Sequence, residues 1–319
     1  MVKSISASSF LWLSPRAVLP VLYLLAIIPM PWLLNSCSAE VVPVEAATVD
    51  TGAVRTLIEI HREDATKAES WRFIRSLDIF LFEEGGTMLL DTYTRESTPS
   101  GERVGIMSGS GRKRAVIIAN SDLRKESREI GCYDDLKALE SEYSKDNPEY
   151  PILCGESMIT AGEGGTVILR PLLALIEITG ISAPIGMGQV KAYLINASNR
   201  CRFLSDGPGY PSEFINFGSL KEYDLQKMSC PRMAYTYLGD GVVADGRRSF
   251  RGCCLYCYPN NSEQESAGSP FTTLIVEGQL GGITKRYEIA VNRPGTGYTD
   301  GVPGVSRNTR YALELEIGG

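Results

Sequence analysis

"TTLIVEGQLGGITKRYEIAV", residues 272–291, places two runs rich in β-branched and aromatic residues on either side of Gly281 and Gly282. Adjacent glycines accept the positive φ that a tight turn demands, so the stretch predicts a β-hairpin. The same grammar extends in both directions. "RYALELEI" (310–317) and "GCCLYCYPN" (252–260) are single strands, and in "QVKAYLINAS" (189–198) Val190, Ala192 and Leu194 alternate with Lys191, Tyr193 and Ile195. Residues 200–247, with Pro208, Pro211, Pro231 and the turn-rich "GDGVVADGRR", predict a long irregular loop that is functional or packed on itself. This second half has the pattern of a small β-sandwich.

Toward the N-terminus the pattern repeats. In "VRTLIEIHRE" (54–63), Val54, Thr56, Ile58 and Ile60 alternate with Arg55, Leu57, Glu59 and His61, as in a half-buried strand. "SLDIFLFEEGGTMLLDTYT" (76–94) predicts a hairpin about "EEGG", and "ERVGIMSGSGRKRAVIIANS" (102–121) a second pair of strands joined by a Gly-rich turn. "CYDDLKALESEYSKD" (132–146) predicts a helix with Leu136, Leu139 and Tyr143 on one face. In "GGTVILRPLLALIEITGIS" (164–182), Pro171 cannot donate to a ladder and divides the run into two strands or a bulged edge. The boundary between halves is expected in "APIGMGQ", giving bodies at 54–184 and 185–319.

Ahead of them, "AVLPVLYLLAIIPMPWLL" (17–34) is uncharged and apolar, with Lys3 and Arg16 upstream, the order of a secretory signal. Pro20, Pro29 and Pro31 would break backbone hydrogen bonds where a bilayer offers no water, so an uncleaved membrane helix is the weaker reading. Leu34, Asn35 and Ser36 before Cys37 resemble a bacterial lipobox. Residues 1–36 are therefore expected to be removed between Ser36 and Cys37, with lipid attached to the Cys37 thiol, the nucleophilic group of this set. "SAEVVPVEAATVDTGAV" then reads as a tether over 37–53, small and unpatterned.

Chemistry is sparse. The chain of 319 residues carries a net charge of −6 and one short basic cluster, "GRKRA" (111–115), which argues against nucleic acid as a partner. His61 is the only histidine, so a Ser-His-Asp, Cys-His or His-based metal site would have to pass through it, and its strand setting reads as surface. "PGTGYTDG" (294–301) lacks the Lys-Ser or Lys-Thr pair of a phosphate loop. Glu83 with Glu84 and Asp134 with Asp135 are neighbours that point apart, not facing acid and base. In "CCLYC" (253–257) a strand would put Cys253, Leu255 and Cys257 on one face and Cys254 on the other, which suits buried thiols better than a metal cage. Eight cysteines leave seven once Cys37 is set aside, so at least one thiol stays free or pairs between chains. No catalytic residue, cofactor or metal is expected.

"SLDIFLFEEGGTML", "RPLLALIEITGI", "VKAYLINA", "CCLYCYPNN", "TTLIVEGQLGGITKRYEIAVN" and "RNTRYALELEIG" resemble, in order and spacing, segments of the fimbrillin-like and fimbrial anchor subunits of the Bacteroidales type V pilus. The resemblance implies a mainly β chain of two tandem transthyretin-like sandwiches, with one short helix in the first. It also implies a palmitate-bearing lipoprotein of the outer membrane or fimbrium, whose partners are other fimbrial subunits joined by β-strand addition. In stalk subunits a protease cuts after an arginine and frees the first strand; Arg55 is either that site or an ordinary outward strand residue. The high cysteine count departs from the family. With no further strand after "YALELEI", an anchor or accessory role is expected over a polymerising stalk. A surface lipoprotein binding glycan or host protein, and a hydrolase with hidden carboxylates, are the rival readings.

Overall fold

The computed structural model describes residues 53–63, 73–99, 103–121, 123, 130–204, 211–262, 264–294 and 303–318. The expected signal segment, Ser36, Cys37 and the tether up to residue 52 lie outside them.

The first strands are β1 (Val54–Arg62), β2 (Phe73–Glu83), β3 (Leu89–Pro99), β4 (Arg103–Ser108), β5 (Arg112–Ala119), β7 (Leu153–Thr160) and β8 (Gly165–Pro171), joined in the order β3-β2-β5-β7-β8-β1-β4. The missing number, β6 (Glu140–Glu142), follows the short helix α1 (Tyr133–Ala138) and pairs elsewhere. The β7–β8 ladder has only Leu153 opposite Pro171 and Cys154 opposite Arg170. The sheet bends there into two facing layers, and Ile58, Ile60, Leu77, Ile79, Ile117, Val167 and Leu169 fill the space between them. Gly155 makes the bend possible: a β-carbon at this position would run into the Ile168 carbonyl.

Two local expectations fail here for non-local reasons. The strands β4 and β5 do not pair with each other. Every residue of β5 from Ala115 to Ala119 is buried, so it lies inside the sheet between β2 and β7, whereas β4 has one buried face and forms the outer partner of β1. The helix expected over 132–146 stops at Ala138, where the Leu139 amide closes on the Leu136 carbonyl. Glu140–Glu142 then becomes β6, paired with β12 (Arg200–Arg202). The apolar spacing was real, since Leu136 and Tyr143 are fully buried, but tertiary pairing overrode its helical period.

The remaining strands are β9 (Ala174–Ala183), β10 (Met187–Ile195), β11 (Ala197–Ser198), β13 (Phe214–Ile215), β14 (Tyr235–Gly239), β15 (Val242–Ala244), β16 (Arg247–Cys257), β17 (Thr273–Leu280), β18 (Ile283–Ala290) and β19 (Arg310–Glu316). They build two four-stranded sheets, β14-β10-β17-β18 and β15-β16-β9-β19. Between them lie Ile176, Ile178, Val190, Leu194, Leu255, Leu274, Val276 and Tyr311. The 272–291 hairpin forms in the expected register, Leu280 opposite Ile283, with Gly281 and Gly282 at φ of 60° and 79°. The expected loop at 200–247 instead carries β12, β13, a second helix α2 (Glu222–Lys227), β14 and β15, beside the one short α-helix, α1, of the first half. Pairing changes hands at Leu172 and Leu173, since β9 bonds to β16 and β19, ahead of the boundary expected after residue 184. Residues 50–319 form one compact unit.

That continuity has a polar knot inside it. The Tyr258 hydroxyl donates to Asp146 at 3.0 Å and lies 2.7 Å from the Ser141 hydroxyl. Tyr143 meets the Tyr258 ring edge-on and donates to the Tyr256 carbonyl at 2.6 Å. Asp146 also accepts the backbone amides of Asn147 and Ile152. Burial pushes its carboxyl up to about 6, and those hydrogen bonds pull the other way without cancelling it. The folded protein thus holds the Asp146 proton more tightly than the unfolded chain does. That contribution is complete below about pH 4 and is lost as pH rises through about 6.

Measured against Asp146→Asn in denaturant melts, the wild-type protein should therefore gain up to about 3 kcal/mol between pH 7 and pH 4; a difference that stays flat with pH would reject this. Gly155→Ala should cost several kcal/mol, on the order of 3 or more, through forced separation of β7 and β8, and a variant that melts like wild type would show that the strands can part freely.

Candidate assembly surface

Among the described residues, the two outer strands of the first sheet, β3 and β4, are its free edges. Because the layers face each other, these edges approach, and the Tyr93 hydroxyl of β3 donates to the Met107 carbonyl of β4. The same phenol oxygen lies 2.8 Å from an Asp91 carboxylate oxygen, so its single proton is shared between the two acceptors. Burial, followed by the Asp91 hydrogen bond and charge, pushes the Tyr93 phenol up to about 12, so it stays a donor at any physiological pH.

Beside this bridge lies a cleft of about 470 Å³ lined by Leu81, Leu90, Asp91, Met107, Ser108 and Lys113, among others. Leu90 and Met107 are 39% and 50% exposed, a large apolar area for side chains at a sheet edge. Backbone geometry completes the picture. In an antiparallel strand the amide and carbonyl of one residue point the same way. Met107 faces Arg55 in the ladder, yet its carbonyl is taken by Tyr93, so its N–H is directed outward into the cleft and not to β1. Two edges with outward backbone groups and the exposed apolar side chains of Leu90 and Met107, set among charged residues, can accept an added strand.

Arg55 sits beside this cleft. It is exposed on β1, opposite Met107, and the next residue, Thr56, is fully buried with its hydroxyl 2.8 Å from that of Ser108 and accepting the Gly162 amide. Beyond Thr56 the strand is held on both sides, by β4 and by parallel pairing with β8 from Ile58 onward. A cut after Arg55 would leave Thr56–Arg62 in place. Freeing β1 as a unit would need a cut at or beyond Arg62.

The remaining candidates are scattered. His61 is exposed on β1, its Nε2 3.6 Å from Glu59, with no other ionic partner among the described residues. The "CCLYC" segment forms the end of β16, with Cys254 exposed, Leu255 and Cys257 buried and Cys253 between, which is the alternation of a strand. Burial pushes the Cys253 and Cys257 thiols up to about 12, the character of inert core thiols. Among the described residues no three His, Cys, Asp or Glu side chains converge as a metal site, and no helix is long and apolar enough to cross a membrane. What sequence reasoning missed is the meeting of β3 and β4: Tyr93 and Met107 carry no local mark of being edge residues.

A scan against family models and a search of curated proteins each return no match. Solved structures do match. A fimbrilin from Porphyromonas gingivalis W83 aligns with a TM-score of 0.56 and 15% identity, over 83% of this chain and 91% of that one. A candidate cell adhesion protein from Bacteroides eggerthii aligns at 0.55 and 17%, over 84% and 87%. The C-terminally truncated tip fimbrial protein Mfa3 of Porphyromonas gingivalis aligns at 0.51 and 12%, over 82% and 95%. The chain has the fimbrillin-like fold. Its likeness covers both halves, and the mainly β expectation is met in full, while identities this low speak for architecture alone.

Within that fold, the Arg55–Thr56 bond should resist trypsin. In limited digestion of the folded protein, a fragment beginning at Thr56 should be absent among the first products and appear only after denaturation; its early appearance would mean the strand opens at this point.

Proposed function

We propose that this protein is a non-enzymatic subunit of a cell-surface fimbrial assembly, joined to its neighbours by β-strand addition and held at the outer membrane through lipid on Cys37. The observation that carries the reading is the pair of outer strands, β3 and β4, meeting at a cleft that bears the exposed Leu90 and Met107, in a chain whose fimbrillin-like fold extends over more than four-fifths of its length. Main-chain hydrogen bonds to the outward groups of β4 supply affinity, and Leu90 and Met107 offer apolar contacts to side chains of an incoming strand. Such an assembly needs no catalytic residue.

The lipobox before Cys37 supports an anchored or accessory role over a polymerising stalk. The burial of Thr56 directly after Arg55 counts in the same direction, because a cut there does not open a groove. A second reading, a surface lipoprotein whose sandwich binds glycan or host protein, draws on the exposure of Phe217, Tyr223 and Tyr237 in the 200–247 segment, since exposed aromatic faces suit sugars.

Two measurements test the proposal together. Intact mass of the protein from its native cells should show an acylated Cys37 at the N-terminus, and cross-linking in those cells should capture a second fimbrial subunit on β3 or β4. Met107→Pro removes one outward N–H while leaving the β1 ladder intact. It should melt within about 1 kcal/mol of wild type yet lose the cross-link, and Leu90→Lys should do the same. Retention of residues 1–36 would reject the lipoprotein, and an unchanged cross-link in both variants would reject the cleft as the docking edge.

A further inference from the structure

Away from that edge, at the opposite end of β5, the chain forms two adjoining clefts of about 310 and 90 Å³ that share Asn120, Ser121 and Lys145. No aliphatic side chain lines the larger one. Its walls are Arg75, Asn147 and Tyr150 with Lys145 and Ser121, and Asp146 lies at the base. A site of this composition has nothing to offer an apolar ligand.

Three features give it the character of a built site. Ser121 is 8% exposed, and its hydroxyl has no hydrogen-bond partner among the described residues. A buried hydroxyl left unpaired is costly, and a ligand that reached it would relieve that cost. Asn120, next to it, is pinned: its side chain accepts the Arg75 amide at 2.7 Å and donates to the Pro151 carbonyl at 2.9 Å. Two cations flank the space. The Arg75 guanidinium carbon is 3.2 Å from the centre of the Tyr150 ring, which fixes its plane, and Lys145 spends one of its three donors on Glu142 at 3.1 Å. Asp146 accepts two backbone amides and the Tyr258 hydroxyl, leaving about one of its four lone-pair sites for a further donor.

We propose that this cleft binds an acidic monosaccharide, a ring bearing both a carboxylate and hydroxyl groups. Arg75 and Lys145 meet the carboxylate, since paired cations at a partly enclosed mouth select an anion. Ser121, Asn147 and the remaining site on Asp146 meet hydroxyls. The Asp146 carboxylate rewards a hydroxyl donor set at a distance from the ligand's acid group, as on a sugar ring. The inference does not rest on strand addition; it gives the adhesion reading a definite ligand and place.

Calorimetric titration of the purified protein with glucuronate, N-acetylneuraminate, glucose and inorganic phosphate tests it. At least one of the two acids should bind in the millimolar range or tighter, with glucose and phosphate at least tenfold weaker. Arg75→Gln should weaken that acid at least tenfold and Ser121→Ala at least threefold, both with unchanged melting. Lys145→Gln, a surface change, provides a second cation variant should Arg75→Gln unfold. No binding of either acid, equal binding of glucose or phosphate, or wild-type affinity in the cation variants would overturn the proposal. Failure of the cross-linking experiment would leave this outcome untouched, so the two readings fail separately.

Discussion

Two-sided burial of β2 and β5 is the constraint from which the rest of the molecule follows. Leu77, Ile79 and Leu81 with Ala115, Ile117 and Ala119 face one core, while Phe80 and Phe82 with Val116 and Ile118 face another. A sheet dry on both faces must be covered on both, and each large side chain so buried contributes roughly 1.5–3 kcal/mol. The layer β8-β1-β4 covers the first face. The second is covered by α1 and the 139–152 segment, and that cover runs without a break into the core between the two C-terminal sheets. Sharing the second core is what makes residues 50–319 one unit.

The polar knot of Asp146, Tyr258 and Ser141 sits in that shared core. Desolvating a carboxyl there is expensive, and three hydrogen bonds offset only part of the cost, which is why its proton is held to higher pH. The arrangement also ties the path of residues 140–152 to the second half: Ser141, Tyr143 and Asp146 bond to Tyr256 and Tyr258 while β6 pairs with β12. The polar cleft around Ser121 opens on the outer side of the same segment, so the knot positions the cleft's base.

Closure of the first sheet has the opposite character. Its edges approach but do not pair; a single phenol hydrogen bond spans them where a ladder would have sealed a barrel. An unpaired edge invites pairing with other strands, and the charges at Glu83, Glu84, Arg112 and Lys113 around the cleft counter indiscriminate pairing.

Turn chemistry and alternation are properties of a few consecutive residues, so the sequence by itself determined the β-rich class, the turn at Gly281–Gly282, the break at Pro171 and the buried face of Thr56, Ile58 and Ile60. Elements whose identity depends on a distant partner were not legible: the helix over 132–146 lost its last turns to the ladder with 200–202, the 200–247 loop became α2, β14 and β15 by packing on its own sheet, and β4 left β5 for β1. The candidate sites belong to this second group. Tyr93 meets Met107, and Arg75, Ser121 and Lys145 line one cleft, only because sheets bend and cores are shared. Local sequence sets which residues can be strands; only the tertiary structure, through the requirement that every apolar face be covered, decides which edges meet and which polar side chains are left facing a cavity.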